Sequence, residues 1–295
     1  MTARIINGTK IAKQIREELK AEIAELKEKY NLIPGLATIL VGDDPASHIY
    51  VGQKQKTSLA LGIYSERHDL PAETSEEELL ALIDQLNKDK NIHGILVQLP
   101  VPSHISEARV IYAINPRKDV DGLHPMNVGK LTIGEPDFLP STPYGIQQLL
   151  IRSGINIEGA EVVIIGRSNL VGKPIANILL QNKEGANAIV TVCHTRVRDI
   201  AAHTRRADIL IVAAGTPKAI TADMVKEGVV VIDVGTNQIG TTKSGKAILC
   251  GDVDFDSVKE KAAAITPVPG GVGPMTIAML MMNTVKAAKL SARLI

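Results

Sequence analysis

From Thr9 to Tyr30 the apolar residues Ile11, Ile15, Leu19, Ile23 and Leu26 recur every three or four positions with charged residues between them, which is the spacing of a helix that buries one face. The next apolar run, L-A-T-I-L-V at 36–41, is continuous, rich in β-branched residues and closed by Gly42. After a helical segment over about 75–88 the same pattern returns in G-I-L-V-Q-L-P at 94–100. Short uninterrupted runs of this kind fit strands covered on both faces, and their alternation with helices predicts a parallel sheet.

Between Ala113 and Pro143 the chain carries Pro116, Gly122, Pro125, Gly129, Gly134, Pro136 and Pro140. That density of breakers does not support long helices or strands, so the connection between two domains is placed there. Beyond it come V-V-I-I-G at 162–166, A-I-V-T-V at 188–192, I-L-I-V-A-A-G at 209–215 and V-V-V-I-D-V-G at 229–235. These four buried-strand signals predict a doubly wound nucleotide-binding domain. The last helix, over about 274–290, is rich in Met and Ala and is expected to return to the first domain. The expected fold is therefore α/β with two domains: an N-terminal α/β catalytic domain from 1–140 with 272–295, and a Rossmann-like domain from 141–271.

Composition narrows the function classes. Across 295 residues, 33 Lys and Arg face 32 Asp and Glu, and aromatics make up 2% with no Trp, so neither a basic field nor base-stacking platforms favour a nucleic-acid partner. No apolar run approaches the length of a membrane span, and the N-terminus lacks the apolar core of a signal peptide; the chain reads as soluble and cytosolic. Cys193 and Cys250 lack the paired spacing of metal sites or disulfide frameworks and read as reduced core residues. The histidines show no ligand spacing with Cys, Asp or Glu, so no metal site is expected.

Candidate chemistry falls at strand ends and in loops. The strand at 162–165 runs into G-R-S-N-L-V-G-K-P, with Pro174 suited to a first helical turn, so that backbone N–H groups and a helix N-terminus face a pyrophosphate. The spacing from Gly166 to Gly172 is not G-x-G-x-x-G, which leaves an ordinary strand-to-helix turn open. After the second strand of this domain, C-H-T-R-V-R has no acidic residue for a ribose hydroxyl. Arg196 and Arg198, with Arg167, instead offer cations to a 2'-phosphate and Thr195 a hydroxyl, favouring NADP over NAD; for any one arginine a solvated loop is the alternative. In D-D-P-A-S-H-I-Y-V-G-Q-K, Tyr50 and Lys54 stand at i and i+4 on one helix face. Y-x-x-x-K also occurs in short-chain dehydrogenases, but there it follows the nucleotide strands. Gln98 ends the strand at 94–97, and Asp121 lies in P-R-K-D-V-D-G-L-H-P, where a loop-capping aspartate is the alternative. T-P-V-P-G-G-V-G-P-M-T at 266–276 combines prolines that fix φ with glycines that allow close approach; such a loop can border two ligands, and a purely structural turn back to the first domain is the alternative, compatible with it.

Taken in order, V-G-D-D-P-A-S-x-x-Y-x-x-x-K, G-I-L-V-Q-L-P, K-D-V-D-G, P-S-T-P-x-G, G-R-S-x-x-V-G-x-P and T-P-V-P-G-G-V-G-P-M-T span about Val41 to Thr276 and resemble the bifunctional methylenetetrahydrofolate dehydrogenase/methenyltetrahydrofolate cyclohydrolase family. The resemblance implies an enzyme of one-carbon metabolism: hydride passes from the methylene bridge of 5,10-methylenetetrahydrofolate to NADP+, and water opens the resulting methenyl cation to 10-formyltetrahydrofolate in the same cleft. Carried over by motif, Lys54 is the general acid/base, Tyr50 stacks on the folate, Gln98 tunes Lys54, Asp121 fixes the pterin, and Ser47, Val97, Leu99, Pro269, Gly270 and Gly271 line the substrate. The nucleotide falls to Gly166, Arg167, Ser168, Val171, Gly172, Pro174, His194, Thr195, Arg196, Ala214, Gly215, Gly235, Thr236 and Thr276. A homodimer is implied as well. Ser141 stands where the family often has Cys, which argues against an essential thiol there. A dehydrogenase without the hydrolytic step, a non-catalytic NADP or folate sensor and a shikimate-type dehydrogenase are the competing readings; Tyr50 and the Q-L-P after the strand argue against the last.

Overall fold

A computed structural model describes residues 2–242 and 247–295. In chain order its strands are β1 (Arg4–Ile5), β2 (Gly35–Val41), β3 (Tyr64–Leu70), β4 (Gly94–Val97), β5 (Glu161–Ile165), β6 (Ile189–Cys193), β7 (Ile209–Val212), β8 (Val230–Asp233), β9 (Asn237–Thr241), β10 (Ala247–Cys250) and β11 (Ala264–Ile265). The helices are α1 (Gly8–Tyr30), α2 (Pro45–Leu61), α3 (Glu76–Lys88), α4 (Glu107–Ala113), α5 (Pro125–Thr132), α6 (Ser141–Arg152), α7 (Gly172–Leu179), α8 (Ile200–Thr204), α9 (Phe255–Val258) and α10 (Val272–Ser291).

The chain divides into two compact units, one of Gln14–Ser141 with Ile277–Ile295 and the other of Thr142–Thr276 with the N-terminal residues up to Lys13. The bounds differ from the expected ones chiefly at the N-terminus, because β1 pairs in parallel with β11, Arg4 opposite Ala264. A two-residue strand carries no periodicity of its own, so nothing in the local sequence assigns it to the later sheet.

The first unit is built on a three-stranded parallel sheet in the order β3-β2-β4, with Leu36 opposite Gly94 and Ile39 opposite Val97. Every residue of β2 is buried, as its unbroken apolar run requires. The helices that follow are fixed by their ends. Asp44 caps α2 by accepting from the Ser47 N–H at 2.8 Å, with Pro45 behind it and Gly62 closing the helix at φ 84. Ser75 and Glu78 form a reciprocal capping box at the start of α3. The breaker-rich segment still holds the eight-residue α5, which Pro125 opens. The C-terminal helix belongs to this unit from Ile277 on, and the buried Asn283 of α10 donates to the carbonyls of Val120 and Leu139, both at 2.8 Å.

The second unit carries a six-stranded parallel sheet in the order β1-β11-β8-β7-β5-β6. The chain proceeds from β5 outward to β6, then reverses to β7 on the other side, so the carboxyl ends of β5 and β7 flank the switch point where such sheets bind ligands. An antiparallel hairpin, β9-β10, is separate from that sheet. Both cysteines are free; Cys193 is in the core as expected, but Cys250 is only partly buried, because β10 pairs with β9 alone.

Candidate active site

In the first unit the side chain with the strongest chemical signature is Lys54. Two turns into α2, it is 9% exposed, and its Nζ donates to the Gln98 Oε1 at 2.8 Å. Burial holds its pKa below the ordinary lysine value, against which the charge of Asp121 acts weakly in the opposite direction. The partner is oriented in turn: the Gln98 backbone N–H continues the β2–β4 ladder to the Ile39 carbonyl, and its side-chain Nε2 donates to the Leu99 carbonyl at 2.7 Å. That second bond assigns the amide, leaving Oε1 as the acceptor for the lysine. An uncharged acceptor supports the amine without adding the negative charge that would hold a proton on it.

Ser47 is buried in the first turn of the same helix, and Tyr50, one turn before Lys54, is 38% exposed. Val97, Leu99 and Asp121 line a common recess with Ile95, Ile111 and Leu123. The two aspartates of K-D-V-D-G separate into two roles. Asp119 is 3% exposed and accepts from the N–H groups of Leu123 and His124 and from Asn127 Nδ2; it is the loop-capping residue, and burial pushes its carboxyl up. Asp121, two residues on, is only partly buried, and both aspartates line the recess. Sequence reasoning singled out Asp121 and did not identify Asp119 as the loop's anchor. The alternation of D-V-D about the buried Val120 is the signal that could have found it.

The nucleotide candidates lie in the second unit. Gly166 ends β5 at φ 123, and a Cβ there would come within 2.2 Å of the Ala213 carbonyl oxygen, while one on Gly172 would come within 2.1 Å of the Gly166 carbonyl oxygen. Gly166 thus lets the loop after β5 close on the loop after β7 at the switch point, and Gly172 lets the loop after β5 fold back on Gly166. Between them the Ser168 Oγ accepts from the Val171 N–H at 3.1 Å, shaping the turn into α7, and Pro174 is buried in its first turn. After β6, the His194 carbonyl accepts from Val197 N–H and its Nδ1 from Arg196 N–H. This tight turn leaves Thr195, Arg196 and Arg198 exposed, as are Arg167 and Ser168. A backbone cradle beside three exposed guanidinium groups fits a dinucleotide with an additional phosphate. Ala214 and Gly215 follow β7, and Gly235 and Thr236 follow β8.

Pro269, Gly270 and Gly271 also belong to the second unit, where the Gly270 carbonyl accepts from the Thr9 N–H at 3.1 Å. Thr276 shares a hydroxyl–hydroxyl bond of 2.9 Å with Thr142, a residue that sequence reasoning did not mark. The substrate candidates are therefore divided, with Ser47, Tyr50, Val97, Leu99 and Asp121 in one unit and the Pro-Gly-Gly turn in the other.

Comparison with known proteins matches these two sets of residues separately. The profile of the tetrahydrofolate dehydrogenase/cyclohydrolase catalytic domain covers residues 6–121, and that of the tetrahydrofolate dehydrogenase/cyclohydrolase NAD(P)-binding domain covers 140–292. The chain is 68% identical over 294 residues to the bifunctional protein FolD of Syntrophus aciditrophicus, covering 100% of both chains. Among solved structures it is similar to the FolD methylenetetrahydrofolate dehydrogenase/cyclohydrolase of Campylobacter jejuni, at 49% identity and a TM-score of 0.91 over 98% of this chain and 99% of that one. It is also similar to the Trypanosoma brucei FolD enzyme, solved with NADP cofactor and inhibitor, at 40% identity and a TM-score of 0.94 over 99% of each.

Proposed function

The chain belongs to the tetrahydrofolate dehydrogenase/cyclohydrolase family, and on that premise we propose how its residues divide two reactions. It is a bifunctional enzyme of one-carbon metabolism that oxidises 5,10-methylenetetrahydrofolate with NADP+ and hydrolyses the 5,10-methenyl product to 10-formyltetrahydrofolate.

Lys54 is the general acid/base of the hydrolytic step. The observation that carries this reading is its buried amine held on the neutral oxygen of Gln98 at 2.8 Å, because burial and a cationic methenyl group both disfavour the ammonium form and favour the amine as a base. As water attacks the bridge carbon, Lys54 Nζ takes its proton. It returns a proton to ring nitrogen N5 as the bond from that nitrogen to the carbon breaks, and the hydroxyl proton leaves to solvent as the formyl carbonyl forms. Tyr50 stacks on the folate, Asp121 accepts from pterin ring N–H and amino groups, and Ser47, Val97, Leu99 and the Pro269–Gly271 turn complete its binding.

Hydride transfer asks a different thing of the chain. NADP+, when bound, supplies the hydride acceptor, so the protein needs no acid or base and contributes positioning. The loop from Gly166 to Pro174 holds the pyrophosphate, and Arg167, Ser168, Thr195 and Arg196 hold the adenosine end with its 2'-phosphate. His194 shapes the turn that presents them, while Ala214, Gly215, Gly235, Thr236 and Thr276 border the remainder. We place the enzyme in the cytoplasm as a homodimer, as the family resemblance implies, and the near balance of charge gives it no reason to hold nucleic acid or a membrane surface.

The test is a spectroscopic assay of the purified protein with 5,10-methylenetetrahydrofolate and either NADP+ or NAD+, followed by addition of the methenyl compound alone. Reduction that prefers NADP+ together with accelerated methenyl decay is the expected result. Binding of both ligands without turnover would turn the reading to a sensor, and reduction without accelerated decay to a dehydrogenase lacking the second step.

A further inference from the structure

Two carboxylates in the second unit are buried outside the chemistry described above. Asp233 ends β8 and is 3% exposed; Asp252, between β10 and α9, is fully buried. Among the described residues no cationic side chain is bonded to either. The partners of their four oxygens are N–H donors, fifteen to thirty-eight residues away in sequence or, for Gly235, two residues on in the turn. Asp252 Oδ2 accepts from the backbone N–H groups of Ala214 at 2.7 Å and Gly215 at 2.8 Å, and its Oδ1 accepts from Asn237 Nδ2 at 2.8 Å. Asp233 Oδ1 accepts from the N–H groups of Gly235 and Asp252, and its Oδ2 from that of Val253, all at 3.0 Å.

The pair is fitted tightly into the ends of the sheet. A Cβ on Gly251 would stand 1.8 Å from Asp233 Oδ2, and one on Gly235 would stand 2.3 Å from the Asp252 carboxyl carbon. The Asp233 backbone N–H also donates to the buried Thr266 Oγ1 at 2.8 Å, at the head of the Pro-Gly-Gly turn. The carboxyl ends of β7, β8 and β11, which lie side by side in the sheet, are thus tied through two side chains. Such an arrangement costs desolvation of two charges and is matched here by a full set of donors.

We propose that Asp252, held in place by Asp233, is a positioning residue for the nucleotide: it fixes the Ala214–Gly215 loop at the switch point and takes up both amides of that loop. The loop consequently meets the cofactor through its carbonyl and Cα edge and not as an N–H donor, while donors for the pyrophosphate come from the loop after β5. The inference rests on the NADP-dependent dehydrogenase reading and adds to it a residue that contacts no ligand.

Asp252→Ala tests it, with NADP+ as the probe. The expected result is a rise of at least tenfold in KM and Kd for NADP+ with a smaller fall in kcat, while hydrolysis of the methenyl compound without nucleotide stays within about twofold of wild type. Asp252→Asn, which can still offer one oxygen to the two amides and its NH2 to a reoriented Asn237, should recover most of the lost affinity. Should Asp252→Ala fail to fold, Asn237→Ala loosens the carboxylate without removing it and should raise the NADP+ KM about threefold. Unchanged NADP+ affinity in the folded variant, or a parallel loss of both activities that Asp252→Asn does not restore, would overturn the proposal. A wild-type protein that oxidises no methylene substrate would instead remove the dehydrogenase reading beneath it.

Discussion

The candidate sites of the two units are built by contrasting means. In the first, the proposed chemistry rests on one buried amine with one neutral hydrogen-bond acceptor, and the Asp119 carboxylate ties the neighbouring loop together. In the second, the marked residues are backbone turns, glycines in close approach and exposed arginines. The contrast follows from the reactions. Proton transfer needs a group whose pKa has been moved, which takes desolvation; hydride transfer to a bound cofactor needs only placement, which rigid strand ends and their loops provide.

This division is exposed to test, beginning with the largest effect. Lys54→Met should lower methenyl hydrolysis by about 10²–10⁴-fold, the range for loss of a general acid/base, while folate and NADP+ binding measured by titration are largely kept; normal hydrolysis in that variant would remove Lys54 from its role. Arg196→Ala should weaken NADP+ by about tenfold or more, the scale of a lost charge-assisted hydrogen bond, with little change for NAD+; equal losses would undo the 2'-phosphate assignment. Asp121→Asn should move the ascending limb of the hydrolysis pH profile to lower pH, since the aspartate charge raises the Lys54 pKa and its removal leaves desolvation unopposed.

The smallest effect concerns stability. Burial raises the Asp233 carboxyl from 3.8 to about 6, so the native state binds more protons than the unfolded chain between those values. Its contribution is fully present below about 3.8 and is lost as pH rises through about 6. The melting temperature of Asp233→Asn, lower overall because a donor now faces the Val253 N–H, should depend less on pH across that window than that of wild type. An identical slope would show that another group sets it.

Much of the geometry of the first unit's candidate site could be read from the chain. The spacing of Tyr50 and Lys54 fixes a shared helix face, and Gln98 follows a strand whose apolar run is unmistakable. What escaped reading depends on partners distant in sequence. Tyr-Ser-Glu-Arg-His-Asp-Leu at 64–70 is a polar edge strand, β3, whose identity comes from pairing with β2 over its whole length. The boundary of the second unit at Lys13 depends on the two-residue β1 finding β11. Asp119 and Asp121 differ only in which side of a loop they occupy, and Asp252 shows its importance only when the amides of Ala214 and Gly215 are seen to close on it.

The measurement that bears most directly on the contrast is the pH dependence of both reactions in the wild-type enzyme and in Gln98→Glu. The account predicts an ascending limb in methenyl hydrolysis whose midpoint lies below the ordinary lysine range, absent from the hydride-transfer step, and displaced to higher pH when a carboxylate replaces the neutral acceptor. A limb common to both reactions, or one that Gln98→Glu leaves in place, would contradict it.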